Sequence, residues 1–373
     1  MLAKVKSALC IGIEAYTIEI EVDISSSLPQ ITIVGLPDQA VKESKDRIRA
    51  AIKNSGLVFP SRKKIIINLA PADVKKEGPI FDLPIALGIL AASGRLNIKK
   101  LNLFCVVGEL ALDGVLRGIK GALPIALSLK GSNKKLILPA ENANEAALQN
   151  DVEIFPVKSL EEAVMFFNNE KTISPHTVSA EKYLRNRQKY EFDYNEVHGQ
   201  ALPKRALEVA VSGAHNILMV GPPGAGKTML ARRLPSIFPD LTHEEALEIT
   251  KIHSASGTLR SKCGFLSLRP FRSPHHTSST ISLAGGGPLP KPGEVSLAHN
   301  GVLFLDELPE FNRSALEVLR APLEDNVVTI ARAKGVITFP ANFMLVCAMN
   351  PCPCVTQSKL TDGKHSLSPF SLN

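Results

Sequence analysis

Apolar and polar positions alternate in short runs along the first half of the chain. Residues 17–22 read Thr17, Ile18, Glu19, Ile20, Glu21, Val22, the period of two that a half-buried strand needs. Residues 30–34, 64–69 and 136–138 are short runs of the same kind, rich in β-branched or apolar side chains, and read as strands. Between them lie helical patterns. Residues 38–54 place Val41, Ile48 and Ile52 at helical spacing and stop before Gly56. Residues 83–92 are almost wholly apolar and predict a buried helix, and residues 124–129 predict another. Strands alternating with helices give an α/β or α+β unit over residues 1–168.

The pattern then breaks. Residues 169–191 are polar, rich in Ser, Thr, Asn, Lys and Arg, without a clear period, and read as an interdomain linker, partly helical. A second unit, residues 192–354, carries three apolar runs: 216–220, expected as a buried strand, then 302–305 and 342–349, each ending in polar residues. Residues 355–373 have little apolar content and are expected to be a disordered tail. No tandem repeat is visible.

Composition adds bounds rather than identity. The 373 residues suffice for two or three domains. A net charge of +7 permits nucleic-acid contact without establishing it, because the basic pairs Lys63-Lys64, Lys75-Lys76 and Lys99-Lys100 are scattered. Six cysteines form no disulfide framework, which fits a reducing, cytoplasmic setting. No apolar run is long enough to span a bilayer, so no membrane partner is expected. With no Trp and 5% aromatic residues, a broad platform for stacking bases is not expected.

The chemistry concentrates in the second unit. Gly221-Pro222-Pro223-Gly224-Ala225-Gly226-Lys227-Thr228 fits the phosphate-loop spacing at every fixed position. The expected strand precedes it and a helical run, residues 229–234, follows. Glycines let the backbone wrap phosphate oxygens, and N–H groups at a helix start face the anion. Lys227 is expected to reach the β- and γ-phosphates, and the Thr228 hydroxyl to ligate Mg²⁺. The run 302–305 ends in Asp306 and Glu307. It is expected to lie beside the phosphate-loop strand, with Asp306 on Mg²⁺ and Glu307 polarising the attacking water. Asn350 closes the third run, placed to hydrogen-bond the γ-phosphate or the water; the alternative is a turn-forming Asn before Pro351.

Three strand-end elements in this order resemble an AAA+ ATPase. The stretch from Arg269-Pro270-Phe271-Arg272 through His275-His276-Thr277, Gly285-Gly286-Gly287, Pro292-Gly293-Glu294, His299-Asn300-Gly301 and Leu308-Pro309-Glu310-Phe311 resembles the magnesium-chelatase-like ATPases. Asn350-Pro351-Cys352-Pro353-Cys354 completes that resemblance, which points within the group to the YifB/ComM branch of bacterial competence-related proteins. It implies ATP and Mg²⁺ as cofactors, a hexameric ring, DNA as partner, and a helicase-like motor that drives branch migration of incoming DNA. A metal-insertion ATPase of the magnesium chelatase type is the alternative.

The first unit resembles the proteolytic domain of Lon, similar in fold to ribosomal protein S5 domain 2, through Glu77-Gly78-Pro79-Ile80-Phe81-Asp82 and Arg117-Gly118-Ile119-Lys120. Lys120 stands where Lon has its dyad lysine. Ile80 stands where Lon has its serine, and isoleucine has no nucleophilic atom, so no acyl-enzyme forms there. A scaffold or binding surface is expected, and this unit argues against the chelatase alternative. The resemblance places His275-His276 in an insertion facing a pore or a neighbouring subunit. Cys352 and Cys354 are read as loop rather than half of a zinc site, because the relatives' further cysteines are missing. The relatives' arginine finger and helical lid are not recognisable after Cys354, so the chain is expected to be a truncated ATPase with weak hydrolysis, or a nucleotide-binding fragment.

Overall fold

A computed structural model describes residues 2–148, 151–179, 190–259, 264–287, 290–332 and 335–351. The linker's centre, Cys352, Cys354 and the tail lie outside the described residues. The molecule is mixed α/β throughout and is built on two sheets.

The first sheet has seven strands. β1 (Leu2–Ile11) and β2 (Glu14–Ser25) form an antiparallel hairpin. β3 (Gln30–Val34) precedes α1 (Gln39–Asn54), whose N-cap Asp38 accepts from the Val41 N–H. β4 (Lys64–Ala70) pairs with both β2 and β3. Next come α2 (Asp82–Ala92), α3 (Ile98–Leu101) and β5 (Phe104–Val106). A two-strand ribbon, β6 (Glu109–Leu110) and β7 (Leu116–Arg117), precedes α4 (Ala122–Ser128). β8 (Lys135–Pro139), α5 (Ala143–Ala146), β9 (Ile154–Val157) and α6 (Leu160–Phe167) complete the unit, in the strand order β3-β4-β2-β1-β5-β8-β9. Every residue of α2 is buried, as its unbroken apolar run requires. Asp82 at its start is sealed in with the Arg47 guanidinium, Nε to Oδ2 2.9 Å.

The second sheet has four parallel strands in the order β10-β17-β14-β11. α7 (Ala201–Ser212) leads to β10 (Ile217–Val220), the phosphate loop and α8 (Lys227–Arg233). α9 (His243–Ser256) follows, then β11 (Phe271–Arg272) and a Gly-rich ribbon of β12 (Gly285–Gly286) and β13 (Lys291–Pro292). β14 (Val302–Leu305), a hairpin of β15 (Val327–Arg332) and β16 (Gly335–Pro340), and β17 (Met344–Met349) end the unit.

Two expectations need correction. β14 does not lie beside β10, because β17 pairs with both and separates them. β10 is not fully buried: it is the sheet's edge, with Leu218 and Val220 about half exposed. Leu218 and Val220 share the face left open, whereas Ile217 and Met219 on the other face pack on the core, a one-sided burial that an all-apolar run does not reveal.

The units meet along α4 and α9. Leu123 and Leu148 from the first pack with Leu241, Ala246, Ile249 and Phe265 from the second. The Gly121 N–H donates to the Ser254 carbonyl at 3.1 Å, and the Ser254 hydroxyl donates to buried Glu145. A second contact comes from the β1–β2 turn, where Ile13 joins Ile252, Leu283 and Phe339 in a buried cluster.

Candidate active site

Parallel strands align their C-terminal ends on one edge of the sheet, and in open α/β sheets ligands bind there. Four chemical groups converge on that edge. The loop after β10 turns on two glycines in left-handed backbone, Gly224 (φ 77°) and Gly226 (φ 82°), a region any side chain would strain. Gly226 caps α8, so the helix starts at Lys227 with its N–H groups open toward the cradle.

Lys227 is half-buried and folds over the loop. Its Nζ donates to the carbonyls of Gly221 (2.7 Å) and Pro222 (3.0 Å) and to Asn350 Oδ1 (3.0 Å). A lysine whose three donors rest on neutral oxygens is poised to exchange them for phosphate oxygens, which bear full charge. The intervening position of β17 accounts for the third contact. It sets Asn350, at the strand's end, directly against the loop lysine.

The Thr228 hydroxyl donates to Asp306 Oδ2 at 2.6 Å. This places a hydroxyl and a half-buried carboxylate where both can face one hard cation, and hard divalent cations select oxygen donors. Asp306 Oδ1 accepts from the Glu307 N–H at 3.0 Å, and Glu307 itself has φ 53°, a left-handed conformation uncommon outside glycine. The Glu307 side chain is 56% exposed, whereas Asp306 is half-buried.

The structure therefore brings together Lys227, Thr228, Asp306, Glu307 and Asn350, with Gly221, Pro222, Pro223, Gly224, Ala225 and Gly226 as the cradle. Two neighbours were not anticipated. Gln200 Nε2 donates to the Ala225 carbonyl at 3.3 Å and props the loop from α7. Its signal was Gly199-Gln200 just before an amphipathic run. His276 lies in the same chain's cleft, its Nδ1 3.6 Å from Glu307 Oε2. Within the chain, the fold sets it beside the Glu307 carboxylate.

Other motif residues are structural ties. Arg272 on β11 grips Glu294 through two contacts, 2.6 and 2.7 Å, and Arg269 holds Glu245 at the start of α9. In the first unit Ile80 and Lys120 line one cleft of about 420 Å³ with Cys10, Asp38, Glu77 and Glu109. Ile80 is buried, and the Lys120 stem lies over Gly257 of the second unit, so Lys120 abuts the domain junction. Burial pushes the Cys10 thiol up to about 12, which leaves it protonated and unreactive. No helix among the described residues is long and apolar enough to cross a membrane.

Comparison with known proteins gives the family. A family model described as "Magnesium chelatase, subunit ChlI" matches residues 193–367, and one described as "Subunit ChlI of Mg-chelatase" matches residues 20–142. The second match means that the first unit does not by itself set the chain apart from chelatase-named proteins, contrary to the expectation above. Competence protein ComM of Haemophilus influenzae is 46% identical over 355 residues, covering 94% of this chain and 69% of its own length. YifB of Escherichia coli is 46% identical over 354 residues, covering 94% and 68%. Shorter matches reach Lon protease 2 of Bacillus subtilis (28% identity over 39% of this chain) and the Holliday junction branch migration complex subunit RuvB of Thermosipho melanesiensis (29% over 38%). The chain belongs to the ComM/YifB family of magnesium-chelatase-like AAA+ proteins.

Proposed function

We propose that this chain is the nucleotide-driven unit of a DNA-remodelling motor, binding Mg²⁺–ATP and hydrolysing it to move branched DNA. The observation that carries the ATPase reading is the convergence of a phosphate-loop lysine, a Thr–Asp oxygen pair, an exposed glutamate and a strand-end amide on one sheet edge. In this reading the cradle amides and Lys227 hold the phosphates. Thr228 and Asp306 hold Mg²⁺, which would neutralise developing charge on the phosphates. Glu307 orients water, and Asn350, released from Lys227 when phosphate arrives, reports the γ-phosphate.

DNA as substrate rests on the relatives: one carries a competence name and a more distant one is named for Holliday junction branch migration. We further propose a homo-hexameric ring and a cytoplasmic setting, both as the AAA+ relationship implies. A four-way junction of synthetic oligonucleotides tests the reading. ATP-dependent conversion to duplex products, abolished by Lys227→Ala, supports it; ATP turnover that ignores branched DNA and moves no strand removes the DNA half. The names of the family models favour a second reading, a metal-insertion ATPase. Turnover that depends on a porphyrin-handling partner and not on DNA would select it.

A further inference from the structure

The tip of the β1–β2 hairpin departs from ordinary turn composition. Two-residue hairpin turns usually expose Gly, Asn, Asp or Ser. Here the turn is Gly12-Ile13. Gly12 takes left-handed backbone (φ 65°), and Ile13 is buried. Ile13 is not buried in its own unit. It joins a core cluster of the second unit with Ile252 of α9, Leu303 and Leu305 of β14, Phe339 of β16 and Cys347 of β17. The arm behind the tip is well supported. β1 and β2 pair at every position from Leu2–Asp23 to Ile11–Glu14, and both are interior strands of the seven-stranded sheet.

The cluster that Ile13 enters lies on one face of the nucleotide-binding sheet. Side chains alternate across β14. Val302 and Phe304 join the core that holds Leu230 and Ala231 of α8, whereas Leu303 and Leu305 join the cluster of Ile13. One face therefore carries the helix of the phosphate loop, and the other rests on the tip. Leu305 directly precedes Asp306, and Cys347 is three residues before Asn350. The tip also meets the β15–β16 hairpin. A Cβ at Gly12 would lie 2.8 Å from Ile337 Cγ2 and 3.5 Å from the Phe339 ring. After β16, only Ala341, Asn342 and Phe343 precede β17.

We infer that Ile13 is a positioning residue, through which the first unit holds the ends of β14 and β17 in the geometry that nucleotide turnover needs. This rests on the reading of Asp306 and Asn350 as the metal and phosphate groups. Ile13 touches neither nucleotide nor metal. Shortening it leaves a cavity in the cluster that Leu305 and Cys347 share, and the lining of a cavity relaxes into it. Small displacements of a reacting constellation cost rate steeply. Lys227 starts α8 on the opposite face, so capture of the nucleotide depends on Ile13 much less than its turnover does.

Steady-state ATP turnover of wild type, Lys227→Ala, Ile13→Ala, Ile13→Val and Ile249→Ala tests this, each at a temperature where circular dichroism shows it folded. Ile249 lies in the other contact between the units, with Leu123 and Phe265, so Ile249→Ala weakens the junction without reaching the site. Ile13→Ala is expected to lower kcat about 10- to 100-fold with KM for ATP within about threefold. Ile13→Val, one methylene shorter, is expected to lose about two- to threefold, and Ile249→Ala to stay within about twofold of wild type. Unchanged kcat in Ile13→Ala, a loss carried in KM, or an equal loss in Ile249→Ala overturns the inference. Should Ile13→Ala not fold, Ile13→Val decides, and wild-type kcat there overturns it. Wild-type turnover no faster than Lys227→Ala would instead sink the ATPase reading. The hold on the strand ends is then judged by amide hydrogen exchange without nucleotide. Ile13→Ala is expected to speed exchange in β16 and β17 at least about tenfold and to leave that of Leu230 and Ala231 in place; unchanged exchange in β17 overturns it.

Discussion

Lys227 makes three hydrogen bonds inside the protein, to Gly221, Pro222 and Asn350, so its loss removes a loop clasp as well as the proposed phosphate ligand. Lys227→Ala is therefore expected to weaken Mg²⁺–ATP binding by at least tenfold, since a charged contact to phosphate contributes well over 1.4 kcal/mol; equilibrium dialysis with labelled nucleotide measures it. Glu307→Gln keeps the shape and removes the carboxylate proposed to orient water. It is expected to retain nucleotide affinity within a few-fold while lowering kcat by about 10²- to 10⁴-fold, read by phosphate release. Lys227 stood out before the fold because the phosphate-loop pattern has fixed spacings in contiguous sequence, and Glu307 because an apolar run ends in two acids. Gln200 and His276 did not, since each reaches the site across the fold, 25 and 31 positions from the residues they touch. No local period encodes such a meeting.

At the scale of elements, the sequence told most where one face is buried and least where burial is shared between units. β3 was read at its true bounds, and α1 within a residue. β1 was passed over although buried Ala3 and Val5 alternate with the more exposed Lys4 and Lys6. The hairpin of β15 and β16 escaped because its apolar side rests on a partner distant in sequence, with Ile337 and Phe339 against Gly12. α9 also went unread, since its buried residues face two partners at once. It starts with a full capping box, Thr242 and Glu245 bonding reciprocally, and ends at Gly257 with φ 77°. Thr242→Ala is expected to cost about 1 kcal/mol in a urea melt. Inside α9, His253 Nε2 sits 3.1 Å from the Leu297 carbonyl, which only accepts, so Nε2 carries the hydrogen and Nδ1 accepts from Thr258. Burial pushes His253 down to about 4 from an ordinary 6.5. The unfolded chain therefore takes up the proton first as pH falls. Stability from this group is whole above pH 6.5 and is lost as pH drops toward 4. Between pH 7 and 5 the loss is expected to be about 2 kcal/mol, and His253→Gln should flatten that part of the profile.

Across the whole molecule, the first unit braces the second at two places: α4 against α9, and the β1–β2 turn against the β15–β16 hairpin that leads into β17. The second contact is one strand away from Asn350. The cluster of Leu123, Ile249 and Phe265 is buried only because the units are together. Ile249→Ala is expected to cost about 2–5 kcal/mol of global stability and to separate the melting of the two units, seen as two calorimetric transitions in place of one. Lys120 of the first unit leans on Gly257 at the junction. All of this depends on one event, capture of a metal-bound triphosphate by the loop after β10. Isothermal titration calorimetry of Mg²⁺–ATP into the purified protein examines it directly. One site per chain that vanishes in Lys227→Ala is the predicted result; no heat of binding in either protein, or identical binding in both, contradicts the account.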